Sequence, residues 1–96
     1  MNKKFKMIEI GGDSCASCHA MARQAHEVAE SCGMDFERID IEMSPEAVQK
    51  YGVERIPTVV ICDGDNIIAK CSGYQPDEIL SLWAEAKTEE YMRGKV

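Results

Sequence analysis

The chain has 96 residues, of which 45% are hydrophobic and 29% charged, with five cysteines and a formal net charge of -6. That length and balance fit one globular domain, residues 1–96, with a modest core, and the negative charge argues against nucleic acid and anionic membrane surfaces as partners. No stretch approaches the ~20 apolar residues of a membrane span, and the basic Met1–Lys6 is followed by too short an apolar run for a signal peptide. The expected location is therefore the cytoplasm, where structural disulfides are rare and cysteines point to catalysis, metal or core packing.

Phe5–Ile10 reads as a short buried strand, led in by Lys3, Lys4 and Lys6 and closed by Gly11-Gly12. From Cys15 to about Ser31 a helix is predicted. Ala20, Met21, Ala25, Val28, Ala29 and Cys32 make its apolar stripe, and Gly33 is its stop. Asp35–Glu42 follows as a strand. Ser44 and Pro45 suit the N-cap and first position of a short helix, in which Ala47 and Val48 point inward and which Tyr51-Gly52 ends. Ile56–Cys62, the most β-branched run, reads as a central strand with Pro57 at its start. Asp63–Asn66 is a hairpin turn, and Ile67–Cys71 returns antiparallel. That register sets Cys62 opposite Ile67 and Cys71 opposite Thr58. Gly73 breaks the strand, and Pro76-Asp77-Glu78 opens a last helix whose inward stripe is Ile79, Leu80, Trp83, Ala86 and Tyr91, with Arg93–Val96 fraying.

The chemistry centres on Cys15 and Cys18. Two cysteines three apart at a helix start lie on one face of its first turn, close enough for a disulfide or a shared metal. The unpaired N–H groups and dipole of that turn favour a thiolate. A free cysteine titrates near ~8.5, and a helix N-terminus lowers that. The pattern offers an attacking sulfur at Cys15 and a resolving one at Cys18. Two other readings use the same residues. Cys15-Ala16-Ser17-Cys18-His19 spells a haem attachment motif, but that chemistry belongs to exported chains. A soft-metal carrier would bind copper or a similar ion through the Cys15 and Cys18 thiolates. Structural zinc wants four ligands, and no second Cys-x-x-Cys exists. His19 is placed to face either the thiolate or solvent, and His26 and the acids Glu85, Glu89 and Glu90 read as surface. Cys32, Cys62 and Cys71 read as small core or strand residues.

The motifs in order resemble the thioredoxin superfamily in its short form, as in mini-thioredoxins and glutaredoxins. An acid stands six residues before the first cysteine, Glu9 before Cys15. Asp40-Ile41-Glu42 is followed by Pro45, then Lys50-Tyr51-Gly52-Val53, Ile56-Pro57-Thr58 and Gly73. The match runs from Met7 into the last helix. It implies an α/β fold of β-α-β-α-β-β-α order, a four-stranded mixed sheet of order 2-1-3-4, and helices on both faces. It also implies a thiol–disulfide oxidoreductase acting on protein disulfides, working without a bound cofactor or metal. A cis Ile56–Pro57 bond would lie beside the cysteines, with the Ile56 backbone pairing with an extended substrate. Ser14, Ile56, Pro57 and Gly73 would bind that substrate, and Glu9 would be a buried acid exchanging a proton with Cys18. Ala16-Ser17 between the cysteines matches neither thioredoxins nor glutaredoxins, so thioredoxin reductase and glutathione both stand as electron donor. The edge strand Asp35–Ile41 carries Asp35, Glu37, Arg38 and Asp40, which disfavour edge pairing, so a monomer is expected.

Overall fold

The computed structural model describes residues 4–94; Lys3 of the basic lead-in and Lys95-Val96 at the other end lie outside them. Seven elements follow the expected order: β1 (Lys6–Gly11), α1 (Ala16–Ser31), β2 (Asp35–Asp40), α2 (Glu46–Lys50), β3 (Thr58–Asp63), β4 (Asn66–Ser72) and α3 (Asp77–Arg93). The sheet order is β2-β1-β3-β4. β1 runs parallel to β2 and antiparallel to β3, which pairs antiparallel with β4.

Strand side chains alternate between faces, and the two cores divide accordingly. Met7, Val59 and Ile61 face α1 and α3, packing with Met21, Ala25, Val28, Leu80 and Ala84. Ile8, Ile10, Val60 and Cys62 face the other way, against Ile39, Ile41, Tyr51 and Val53. Glu9 and Gly11 share parity with Met7, so they lie under α1. α1 ends as its glycine suggests: Gly33 takes φ +70°, and Met34 N–H donates to the Ala29 carbonyl at 2.8 Å. Such closing bonds satisfy carbonyls that the helix end leaves unpaired.

Several details differ from the sequence reading. β2 stops at Asp40, although Ile41 N–H still donates to the Gly11 carbonyl at 2.9 Å. Ser44 is not a side-chain cap: Pro45 takes the cap position of α2, and no side-chain cap bond forms. The Ser44 backbone carbonyl instead accepts from Ala47 N–H at 3.0 Å. In so short a helix Ala47 is buried, while Val48 turns to solvent. The β3–β4 register keeps Cys62 opposite Ile67 but shifts between Ile61 and Cys62, so Cys71 faces Val59 rather than Thr58. The irregularity leaves Ile68 without a counterpart on β3. On α3 the buried positions are Leu80 and Ala84, while Ile79 and Ala86 are exposed. Tyr91 does turn in, donating to Asp63 at 2.7 Å and meeting Phe5 edge-on. Arg93 is the last residue of α3 and ion-pairs with Glu89, and Gly94 caps the helix.

Candidate active site

Cys15 occupies the N-cap of α1 with extended backbone (φ -103°, ψ 106°). Its Sγ accepts the Cys18 N–H at 3.2 Å, doing what a serine or aspartate oxygen does at other helix starts. Cys15 and Cys18 are joined as a disulfide, with their Cα atoms 5.2 Å apart. Cys15 is half-buried and Cys18 fully buried. The Ser17 hydroxyl lies 3.4 Å from Cys15 Sγ. His19 does not bond the Cys15 or Cys18 sulfur and is partly open to solvent. Its Nε2 lies 2.6 Å from the Asp13 backbone carbonyl, to which it donates, clasping the loop that leads into Cys15.

Beneath the disulfide lies Glu9, its side chain with no solvent exposure. One carboxylate oxygen, Oε1, accepts from Arg38 Nε at 3.0 Å. The other, Oε2, is buried and has no hydrogen-bond partner. Glu9 and Arg38 are register partners on β1 and β2, so both side chains emerge on the same face. A Cβ placed on Gly11 would come within 2.6 Å of Glu9 Oε2, 2.7 Å of Cys18 Cβ and 2.8 Å of Cys18 Sγ. The unpartnered oxygen and the inner sulfur thus both close in on the bare Cα of Gly11, where a side chain would have no room. Burial pushes the Glu9 carboxyl above its ordinary value of 4.5, while the bond and charge of Arg38 and the nearby His19 pull it back. A carboxyl so placed holds a proton more readily than a solvated one.

The loop before β3 approaches Gly12, three residues before Cys15. Ile56–Pro57 is cis. Ile56 Cδ1 lies 3.4 Å from where a Gly12 Cβ would stand, and the Gly12 carbonyl accepts the Cys15 N–H at 3.3 Å. The Pro57 carbonyl accepts the Gly73 N–H at 2.7 Å, and Gly73 has φ +89°, a conformation natural to glycine. Ser14 is exposed on the turn beside Cys15.

Residues 6–82 match the family described as the Thioredoxin domain. The chain belongs to the thioredoxin family. It is 30% identical over 81 residues to a thioredoxin of Rhodospirillum rubrum, covering 82% of this chain and 78% of that one. It is 23% identical over 84 residues to an SPbeta prophage-derived thioredoxin-like protein of Bacillus subtilis (strain 168), covering 86% of this chain and all of the relative (100%). Among solved structures, a mutant thioredoxin from Halobacterium salinarum NRC-1 superposes with a TM-score of 0.79 at 21% identity, over 90% of this chain and 76% of that one. The last likeness is one of fold. Family membership and the linked Cys15–Cys18 pair together make this a thiol–disulfide oxidoreductase centre, a class whose general partners are protein disulfides and a reductase.

The structure brings Glu9 and Cys18 together at Gly11, with Cys15 joined to Cys18; the Ile56 side chain reaches Gly12, and Gly73 is bonded to Pro57. Cys32, Cys62 and Cys71 are free thiols, and burial raises the pKa of each. Two residues at the site escaped the sequence reading. Arg38 was counted among the charges guarding the β2 edge, yet its side chain turns across to Glu9. A buried carboxylate on β1 needs a partner, and the parallel neighbour strand was the place to seek one. Gly11 was read only as a strand break, whereas glycine at a strand end also marks close approach.

Proposed function

We propose that this chain reduces protein disulfides, with Cys15 attacking and Cys18 resolving. The Cys15 thiolate attacks one sulfur of a substrate disulfide. The substrate S–S bond breaks, a mixed disulfide forms, and one substrate thiolate leaves and takes a proton. Glu9 removes the Cys18 proton through the space above Gly11. The Cys18 thiolate then attacks Cys15 Sγ, the mixed disulfide breaks, the second substrate sulfur leaves as a thiolate and takes a proton from solvent, and the Cys15–Cys18 disulfide closes. The substrate gains two electrons and the chain loses two; a dithiol reductase or glutathione restores the dithiol. On this reading the chain acts as a single-domain monomer in the cytoplasm, with no metal or bound group in the cycle. Ser14, Ile56, Pro57 and Gly73 form the surface on which the substrate lies.

One observation carries the assignment of roles: Cys15 Sγ accepts an N–H at the mouth of a helix and is partly open to solvent, while Cys18 is sealed beneath it. A thiolate is stabilised at that position, and a buried thiol is reachable only from inside. The test is turnover of a protein disulfide such as insulin with dithiothreitol as the electron source, together with metal analysis of reduced, anaerobically purified protein. Turnover that is lost in Cys15→Ser supports the proposal. Copper bound one-to-one by the dithiol, with no turnover, would replace it with the carrier reading.

A further inference from the structure

Charges of both signs stand near the loop that carries the cis Ile56–Pro57 bond. On one side stands Glu42, its Oε2 3.8 Å from the position of a Gly12 Cβ, beside the Ile56 side chain. On the other side Arg55 lies flat over the bare Cα of Gly73. Its Nη2, Cζ and Nε atoms would come 2.7, 3.2 and 3.3 Å from a Cβ there.

Arg55 is held at both ends. Its backbone carbonyl accepts from the buried Thr58 hydroxyl at 2.6 Å, and its Nη2 donates to the Ser72 carbonyl at 3.4 Å. Gly73, which it covers, is bonded to Pro57. Among the described residues no carboxylate pairs with Arg55, not even the adjacent Glu54. The neighbouring cations are differently engaged: Lys70 Nζ donates to the Gly52 carbonyl at 2.7 Å, and Lys50 lies over the Tyr51 ring. A guanidinium carries five N–H donors in a planar fork suited to a carboxylate. One long bond to Ser72 leaves most of them unused.

We propose that Arg55 is a specificity-determining residue: it selects disulfide substrates carrying a carboxylate side chain close to the reacting cysteine. The proposal rests on reading the Cys15–Pro57 face as the disulfide-binding surface. A chain of net charge -6 repels acidic partners in general. An exposed guanidinium without a carboxylate partner puts positive charge at the loop, and rim charges of this kind set approach rate and discrimination more than affinity. An extended substrate lying along Ile56 sends alternate side chains to the same side. An acidic residue near the reacting cysteine is then placed to reach Arg55, while Glu42 favours a neutral or basic residue toward the Gly12 end.

The test uses two disulfide-linked peptides that differ only in Glu or Gln two residues from the reacting cysteine. kcat/KM is measured for each with wild-type, Arg55→Gln and Arg55→Glu protein, at low and high ionic strength. The ratio of the two values is internal to each preparation, so partial unfolding of a variant cancels. Wild type should prefer the Glu peptide by roughly 1.5- to 5-fold at low salt, the range expected for an exposed ion pair. The ratio should fall toward one at high salt. In Arg55→Gln it should be near one, and in Arg55→Glu it should invert. A wild-type ratio of one, or a preference that survives Arg55→Gln, overturns the proposal. Insulin reduction by wild type is run alongside. If insulin is reduced while the peptides show no preference, only the Arg55 proposal fails; if neither insulin nor either peptide is reduced, the disulfide-reductase reading fails and takes this one with it.

Discussion

Glu9 and Cys18 face each other across the bare Cα of Gly11, the carboxylate Oε2 and the Cys18 Sγ both reaching within 3.0 Å of the point where a Cβ would stand. Oε2 has no hydrogen-bond partner, and in the proposed cycle it is the oxygen that takes the proton from reduced Cys18. The first prediction follows from it. Glu9→Gln should slow resolution of a Cys15 mixed disulfide by about 10²-fold or more, the range of a general base, and leave the initial attack nearly intact. The pH profile of resolution should lose its acidic limb. Stopped-flow measurement of both phases checks this; an unchanged profile would reduce Glu9 to a structural acid.

The same carboxyl makes a stability prediction with a definite sign. Its folded pKa lies above the ordinary 4.5 because of burial. Protonated Glu9 is therefore the form the fold prefers, and its contribution is fully present below 4.5 and lost as pH rises through the folded value. Glu9→Gln, which never ionises, should melt a few degrees above wild type at neutral pH. The gap should close near pH 4. Calorimetry across that range gives the answer, and a gap that widened on acidification would contradict the sign.

Gly11→Ala should destabilise the fold by about 1–3 kcal/mol, the usual cost of forcing a methyl into filled space. The added carbon meets Glu9 and Cys18 together, so resolution should slow as well. Urea titration and the resolution rate read the two effects separately.

Arg38→Met should cost about 1–3 kcal/mol at neutral pH by leaving the buried carboxylate without its charged donor. The loss should shrink in acid, where Glu9 is protonated. It should also move the pH dependence of resolution upward, because the lost guanidinium was lowering the Glu9 pKa. A purely structural Arg38 would alter stability and leave that profile in place.

The fold was largely legible because its elements announce themselves locally. The Ile56–Cys62 run, Gly33 after the α1 stripe and the Asp63–Asn66 turn specify a strand, a helix stop and a hairpin without reference to the rest of the chain. The misses arose where the answer depends on what lies opposite. The phase of α3 is an example: Ile79 and Leu80 are equally apolar, but only one can face β4 and α1 with Ala84. The register shift near Ile68 is another, since it moves Cys71 by one partner with no mark in the sequence. At the site, the cysteines, Glu9 and Pro57 were recognisable by order and spacing, while Arg38 and Gly11 matter through strand register and space. The α3 phase is itself testable. Leu80→Ala should cost about 2–5 kcal/mol as a core truncation, and Ile79→Ala less than about 0.5 kcal/mol as a surface change; reversed values would restore the sequence-based stripe.

The division of labour between the two cysteines is tested most directly by trapping. Reduced Cys15→Ser and Cys18→Ser proteins are each mixed with a disulfide peptide, and the adducts are followed by intact mass and located by peptide mapping, which separates them from Cys32, Cys62 and Cys71. Cys18→Ser should rapidly accumulate a stable mixed disulfide on Cys15, while Cys15→Ser should form an adduct at Cys18 at least tenfold more slowly, because that thiol is buried. A fast adduct at Cys18 in Cys15→Ser, with none at Cys15 in Cys18→Ser, would contradict the account.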